Sequence, residues 1–265
     1  MSRTDSSKTY IAKSSIKRLI SDVKDILKNP LTEHGIYYKH DDADMLSGYA
    51  MIVGPENTPY YGGFYFFRFT FPNDYPHSPP KVEYCTNGDN VRFHPNFYKT
   101  GKVCVSILNT WRGDQWTSCQ TLSSILLTLC SLLTKDPLLH EPGITKRHKD
   151  FHKYNSIIAY KNIEIAILNM INKGPYFPRS YFECFYDDMV SYFRKNASNL
   201  KKYIAAVEDE NYKRYVDGDD LPSTTNKHHK LQVDTSIYSM KVGLDFGKLC
   251  KTFTECTEKH MIEFP

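Results

Sequence analysis

The stretch "GYAMIVGPENTPYYGGFYFFRFTFPNDYPHSPPKVEYC", residues 48–85, alternates aromatic and β-branched runs with clusters of Gly, Pro, Asn and Asp. The first kind of run suits a pleated, packed surface and the second suits tight turns. It reads as three short strands, "GYAMIVG" (48–54), "FYFFRFTF" (64–71) and "KVEYC" (81–85), joined at hairpin distances. Upstream, "GIYYKH" (35–40) supplies a fourth. In the third strand Tyr65, Phe67, Phe69 and Phe71 share one face by the two-residue period, and that face is expected to be the core face. Before the strands, apolar residues at Ile16, Leu19, Ile20, Val23, Ile26 and Leu27 recur at helical steps. A helix from Ser14 to Lys28 follows, capped by Ser14 or Ser15 and stopped by Pro30. An antiparallel meander behind an N-terminal helix places the chain in the α+β class.

Past residue 91 regular alternation stops for about thirty residues, and a loop of that length inside a compact domain usually carries function. A helix then runs from Thr121 to about Thr134, with Leu122, Ile125, Leu126, Leu129, Leu132 and Leu133 nearly encircling it, so it is expected to be buried. Cys130 on that helix reads as a packing residue. The segment 149–171 reads as one or two further helices. From 172 onward the chain is helical, aromatic and strongly charged, interrupted by "DGDDLPSTTNKHHK" (217–230), a linker by composition. A last segment, "MKVGLDFGKLCKTF", is expected to pack back. The division is therefore a core over 12–171 and an extension over 172–265.

Composition narrows the class. The 265 residues are 40% hydrophobic and 24% charged, with 20 Tyr and 15 Phe, a soluble globular balance. A net charge of +4 is too small to argue for nucleic-acid binding. The most apolar run, "ILLTLCSLL", is too short to span a bilayer. The N-terminal residues lack the apolar stretch of a secretory leader, and seven irregularly spaced cysteines read as reduced thiols, so a cytoplasmic or nuclear setting is expected. Cys250, Cys256 and His260 match no common zinc spacing. Lys17, Arg18 and Lys24 lie off the apolar stripe of the first helix, either as a solvated face or as a docking surface for an acidic partner.

Within the long loop, "VRFHPNFYKTGKVCVSILNTW" (91–111) sets Cys104 eight positions after Asn96, which itself follows His94 and Pro95. A lone cysteine is more often a small buried hydrophobe, but this placement favours a nucleophile. Taken in order, "GPENTPYYGGFYFFRFTFPNDYPHSPPKV", "FHPNFYKTGKVCVSIL", "QWTSCQTLSSILLTLCSLL" and "EPG" resemble the ubiquitin-conjugating enzymes, over about residues 12–170. The longer gap between Cys104 and Trp116 and the C-terminal extension are most similar to the large Z-type branch of that family; extended inhibitor-of-apoptosis-type members share the insertion.

The resemblance implies that fold, with an N-terminal helix, four-stranded meander and C-terminal helices, and a mostly helical extension. It implies a transferase that accepts ubiquitin or a ubiquitin-like modifier from an activating enzyme as a thioester on Cys104. The modifier then passes to a lysine of a substrate protein, usually with a ligase. Neither metal nor organic cofactor is implied, and ATP is consumed by the activating enzyme; nucleic acid and membrane are not expected partners. By the same resemblance, Asn96 either supports the oxyanion or holds the loop, while Pro95 fixes the turn. His94 is expected to be structural, a buried imidazole hydrogen-bonded to backbone. Glu141, beside His140 in "LLHEPG", takes the place of the acidic gate that orients and deprotonates the incoming lysine, and Tyr98 could line the approach. Lys17, Arg18 and Lys24 would face the activating enzyme. His77 in "YPHSPP" and Ser118 in Thr117-Ser118-Cys119 stand in the two loops where the family engages ligases, without the usual apolar anchor.

Two other readings compete. A Cys–His hydrolase of ubiquitin-like tails needs a histidine held beside Cys104 and a third orienting group. A non-catalytic ubiquitin-binding variant of the fold would lack the active cysteine. The extension, remote in sequence from every assigned residue, is expected to choose partners rather than take part in the chemistry; the plainer alternative is a folded buttress.

Overall fold

A computed structural model describes residues 11–215 and 231–260; the expected linker over 217–230 lies outside the described residues. Helix α1 (Lys13–Lys28) starts at Ala12, which makes no side-chain cap, so the expected serine caps are not used and Ser15 is buried within the first turn. Leu19 and Ile26 form the buried stripe, whereas Ile20 and Leu27 fall beside it and are exposed. Asp22 is buried on the same face, accepting from the Tyr75 hydroxyl and from Arg18 Nε at 3.0 Å. A buried carboxylate needs such partners, and both are present.

Four strands follow in order as an antiparallel sheet: β1 (Ile36–His40), β2 (Ser47–Val53), β3 (Phe64–Thr70) and β4 (Lys81–Tyr84). Ala50 pairs with Phe67 and Phe69 with Val82, the meander that the turn residues predict. Helix α2 (Leu122–Ser131) is opened by a capping box in which Thr121 and Ser124 satisfy each other's backbone N–H. Its Leu122, Ile125, Leu126 and Leu129 are buried, while Leu127 emerges on the exposed side. Helix α3 (Phe151–Lys161) continues through a π-type segment, Asn162–Asn169, so 151–171 is one continuous helical rod where one or two helices were expected. The wider turn coincides with Asn162, which is fully buried and joins the sheet to the rod. It accepts from Tyr65 at 2.6 Å and donates to the Tyr61 carbonyl at 2.9 Å.

The extension supplies a short helix α4 (Arg179–Phe182), the long α5 (Tyr186–Tyr215), a hairpin of β5 (Leu231–Asp234) and β6 (Lys241–Leu244), and α6 (Phe246–Lys259). It forms a second layer on the sheet. Tyr65 and Phe67 pack on the loop side, against Phe93 and Phe97. On the opposite face Phe66 meets Phe177, Phe182 and Phe185, Phe64 meets Tyr192, and Arg68 lies over Tyr181. The expectation of one core face is therefore too narrow: Phe64 and Phe66 are as deeply buried as Tyr65 and Phe67. A strand aromatic on successive positions needs cover on both sides, and the apolar cluster runs without a break from α1 to α6. Cys256 is buried in α6, with burial pushing its thiol up to about 11, and His260 stands edge-on to Phe193. No helix among the described residues is long and apolar enough to cross a membrane.

Candidate active site around Cys104

The His-Pro-Asn segment is built by aromatic anchors. Phe93 and Phe97 are buried, Phe97 stacks on Tyr84 with centroids 5.0 Å apart, and Tyr60 donates to the Phe93 carbonyl at 2.7 Å. Between Phe97 and Val103 the chain turns tightly, Gly101 N–H reaching the Tyr98 carbonyl at 2.9 Å, and the turn docks on β4 through Tyr84 N to Gly101 O, 2.7 Å. Gly101 has φ +87°, a backbone conformation that favours glycine, and a Cβ there would crowd Glu83 and the Tyr84 carbonyl.

That turn delivers Cys104 beside Asn96. Cys104 N donates to the Asn96 carbonyl at 2.9 Å, and the Asn96 side-chain amide donates back to the Cys104 carbonyl at 2.6 Å. An amide NH2 carries two hydrogens, so one remains for a second acceptor. Asn96 N donates in turn to His94 Nδ1 at 3.0 Å. His94 is fully buried, with Phe97 and His140 rings about it at 5.0 and 4.9 Å. Burial, then the His140 and Arg92 charges, hold it well below the ordinary histidine range, and burial lowers His140 too. Neutral His94 serves as an acceptor for the loop through Nδ1, which takes the Asn96 N–H, and a backbone hydrogen bond to Leu132 opposes the lowering without reversing it. Cys104 itself is only 3% exposed, so its side chain is almost wholly covered by the surrounding loop. A cleft of about 420 Å³, lined by Glu83, Gly101, Lys102, Val103, Leu108 and Thr110 among others, lies next to the cysteine's chain neighbours without including Cys104 itself.

The insertion after the cysteine folds back on itself. Thr110 Oγ1 accepts from Val105 N at 2.9 Å and donates to the Val105 carbonyl at 3.0 Å, and Asn109 Oδ1 accepts from Trp116 N at 2.8 Å. Trp116 Nε1 donates to Pro76 O at 2.7 Å, joining the loop of His77 to that of Ser118; both residues are exposed. Lys17 and Lys24 are exposed, but Arg18 is not a free cation: it bonds Asp22 and the carbonyls of Ser118 and Gln120. Its charge ties α1 to the second loop, which a helical wheel does not reveal.

Glu141 follows the turn Pro137–His140 and is half-buried. His140 reaches the His94 ring, linking this segment to the His-Pro-Asn loop. The carboxylate accepts the hydroxyl of Tyr238, from the turn between β5 and β6. The Tyr238 ring also lies against the Arg92 guanidinium, 4.3 Å from its centroid, and Tyr98 lies against the same group at 3.7 Å. Arg92 donates to the Pro95 carbonyl. Tyr98 is thus committed to Arg92. The hairpin turn is anchored by Asp150, which accepts from Ser236 N at 2.9 Å, Ser236 Oγ at 2.6 Å and Ile237 N at 2.9 Å. Burial alone would raise that carboxyl; the three donors reverse this and hold it below the usual range.

Arg92, Asp150 and Tyr238 escaped the reading of the sequence. Asp150 stands where a helix cap is sought and caps the extension's turn instead. Although remote in sequence from every assigned residue, the extension reaches the site in space, because Tyr238 sits on Glu141. Chemically, the arrangement offers a thiol with a pinned backbone, an amide with a spare hydrogen, and a carboxylate with one oxygen engaged.

Residues 18–163 match the family model described as ubiquitin-conjugating enzyme. Curated proteins similar to the chain include ubiquitin-conjugating enzyme E2 Z of Homo sapiens, 44% identical over 157 residues that cover 58% of this chain and 44% of that protein. The protein of the same name from Danio rerio is 39% identical over 181 residues, 67% of this chain and 55% of that one. The dual E2 ubiquitin-conjugating enzyme/E3 ubiquitin-protein ligase BIRC6 of Homo sapiens is 39% identical over 150 residues, 51% of this chain and 3% of its own. The matched segment spans about half the length of the E2 Z relatives.

Proposed function

Since this chain belongs to the ubiquitin-conjugating enzyme family, and is E2 Z-like within it, we propose that it carries ubiquitin or a ubiquitin-like modifier as a thioester on Cys104 and passes it to substrate lysine. The observation that carries this reading is the reciprocal bonding of Asn96 and Cys104 at the end of the His-Pro-Asn loop. Charging is an exchange between thioesters: the Cys104 sulfur attacks the acyl carbon, and the activating enzyme's thiol leaves. Discharge is aminolysis. The lysine nitrogen forms the new C–N bond, the C–S bond breaks, Cys104 departs as thiolate, and the amine proton passes to Glu141 or to water.

In the second step Asn96 would hold the loop with one amide hydrogen and meet the oxyanion with the other, so the two roles weighed for it are compatible. Free lysine, with a pKa of about 10.4, is almost wholly protonated near neutrality, which is why a carboxylate at Glu141 matters. Lys17 and Lys24 remain open for an activating enzyme, and the joined His77 and Ser118 loops for a ligase. The hydrolase reading is disfavoured by His94, whose Nδ1 already takes the Asn96 N–H.

The test is to mix the protein with ubiquitin-activating enzymes, ATP and ubiquitin, and to look for an adduct that reductant removes. Cys104→Ala should abolish it and Cys104→Ser should give a slower, reductant-resistant ester. An adduct surviving in the Ala variant would place the acceptor on another cysteine.

A further inference from the structure

The turn between β5 and β6 arrives at Glu141 under unusual constraint. Tyr238 has φ +59° and ψ 5°, and Ser239 has φ +50°. Aromatic side chains rarely adopt this left-handed conformation, which persists only where the surroundings impose it. Here the surroundings are specific. Asp150 takes three donors from Ser236 and Ile237, one residue before the strained position. Met240 O accepts from Thr235 N at 2.9 Å, closing the other side, and Lys99 Nζ lies 3.4 Å from the Tyr238 carbonyl.

The held ring does two things at once. Its hydroxyl donates to Glu141, and its face meets Arg92, whose guanidinium also donates to Pro95 within the His-Pro-Asn loop. One side chain of the extension therefore connects the two segments that the proposed chemistry needs in register. Burial, then the Glu141 carboxylate, raises the Tyr238 phenol above its ordinary range, so it remains a donor at any working pH. A donor fixed on one carboxylate oxygen leaves the other for an amine. The same bond restrains rotation of the carboxylate.

We propose that Tyr238 is a positioning residue for lysine transfer, setting the Glu141 carboxylate through its hydroxyl and the His-Pro-Asn loop through Arg92. The proposal rests on the reading of Glu141 as the group that receives the incoming amine. Tyr238 exchanges no proton and touches no reacting atom. The covalent balance of the step is that given above, and only its rate depends on the phenol.

The experiment charges the full chain with ubiquitin, stops the activating enzyme, and follows discharge onto free lysine from neutral pH up to the amine's own pKa of about 10.4. Wild type is compared with Tyr238→Phe, Glu141→Ala and the double variant. Phenylalanine keeps the ring on Arg92 and loses only the hydroxyl. Tyr238→Phe should charge normally but discharge roughly tenfold more slowly near neutrality, part of the ~100-fold that an ångström of misplacement can cost. The deficit should lie in the maximal rate rather than in the lysine concentration needed, and it should close as pH rises. The double variant should be no slower than Glu141→Ala.

If Glu141→Ala is slow and Tyr238→Phe matches wild type at every pH, Tyr238 has no role and the reading of Glu141 stands. A Tyr238→Phe deficit that is equal at all pH values, extends to charging, or adds to that of Glu141→Ala makes the residue a structural pin and overturns the proposal. If Glu141→Ala itself discharges like wild type, the reading of the gate fails first and takes this proposal with it.

Discussion

Asn96 and Cys104 hold each other by two hydrogen bonds in opposite senses, backbone to backbone at 2.9 Å and side chain to backbone at 2.6 Å. The bond from the side chain makes the identity of that side chain testable in both halves of the reaction. Asn96→Ala should charge Cys104 but discharge onto lysine about 100- to 1,000-fold more slowly, the usual loss for one oxyanion donor. Asn96→Asp should be worse in charging as well, because an ionised carboxylate would set acceptor against the Cys104 carbonyl. Single-turnover charging and discharge of both variants check this. Equal charging defects in the two would mean that the clamp, rather than the oxyanion, is what Asn96 serves.

Burial of Cys104 predicts a labelling order. With iodoacetamide under native conditions, exposed Cys119 should be alkylated well before Cys104, and denaturant should erase the difference. Cys85, pushed up to about 12 by burial, should be slow as well. Peptide mapping by mass spectrometry at successive times reads the order. Cys104 labelling ahead of Cys119 would show the loop opening freely before any acyl donor arrives.

The extension's layer on the sheet predicts the outcome of truncation. A chain cut after Asn172 would uncover Phe64 and Phe66, which Phe177, Phe182, Phe185 and Tyr192 now cover. It should bind a hydrophobic dye and lose cooperative melting. In the full chain Phe182→Ala should cost about 3–5 kcal/mol, as for other buried aromatics, read from urea midpoints. A truncated chain that melts cooperatively and stays monomeric would make 12–171 self-sufficient and the extension a selector of partners alone.

His94 predicts a pH dependence. The native fold keeps it neutral, whereas the unfolded chain binds a proton near pH 6.5. Below that value the unfolded state holds more protons, so stability falls as pH drops, by about 1.4 kcal/mol per pH unit for one such histidine. His94→Asn keeps an acceptor near the Asn96 N–H and removes the titration. Urea midpoints across the acid side of neutrality should slope for wild type and flatten for the variant. Parallel slopes would assign the dependence to another group.

By itself the sequence determined the elements and named most members of the candidate site. Aromatic runs broken by Gly and Pro set the meander, helical spacing set α1 and α2, and the His-Pro-Asn spacing set Asn96 and Cys104 in one loop. These signals are local, or are motifs read in order, and survive without coordinates. The tertiary structure alone decided that β3 is covered on both faces, that Arg18 is consumed in joining α1 to the Ser118 loop, and that Tyr238 reaches Glu141 across 97 residues. A one-to-one contact between distant residues repeats with no period, and each partner taken alone reads as ordinary surface. Tyr238 looks like one of 20 tyrosines until Asp150 holds its turn against the site.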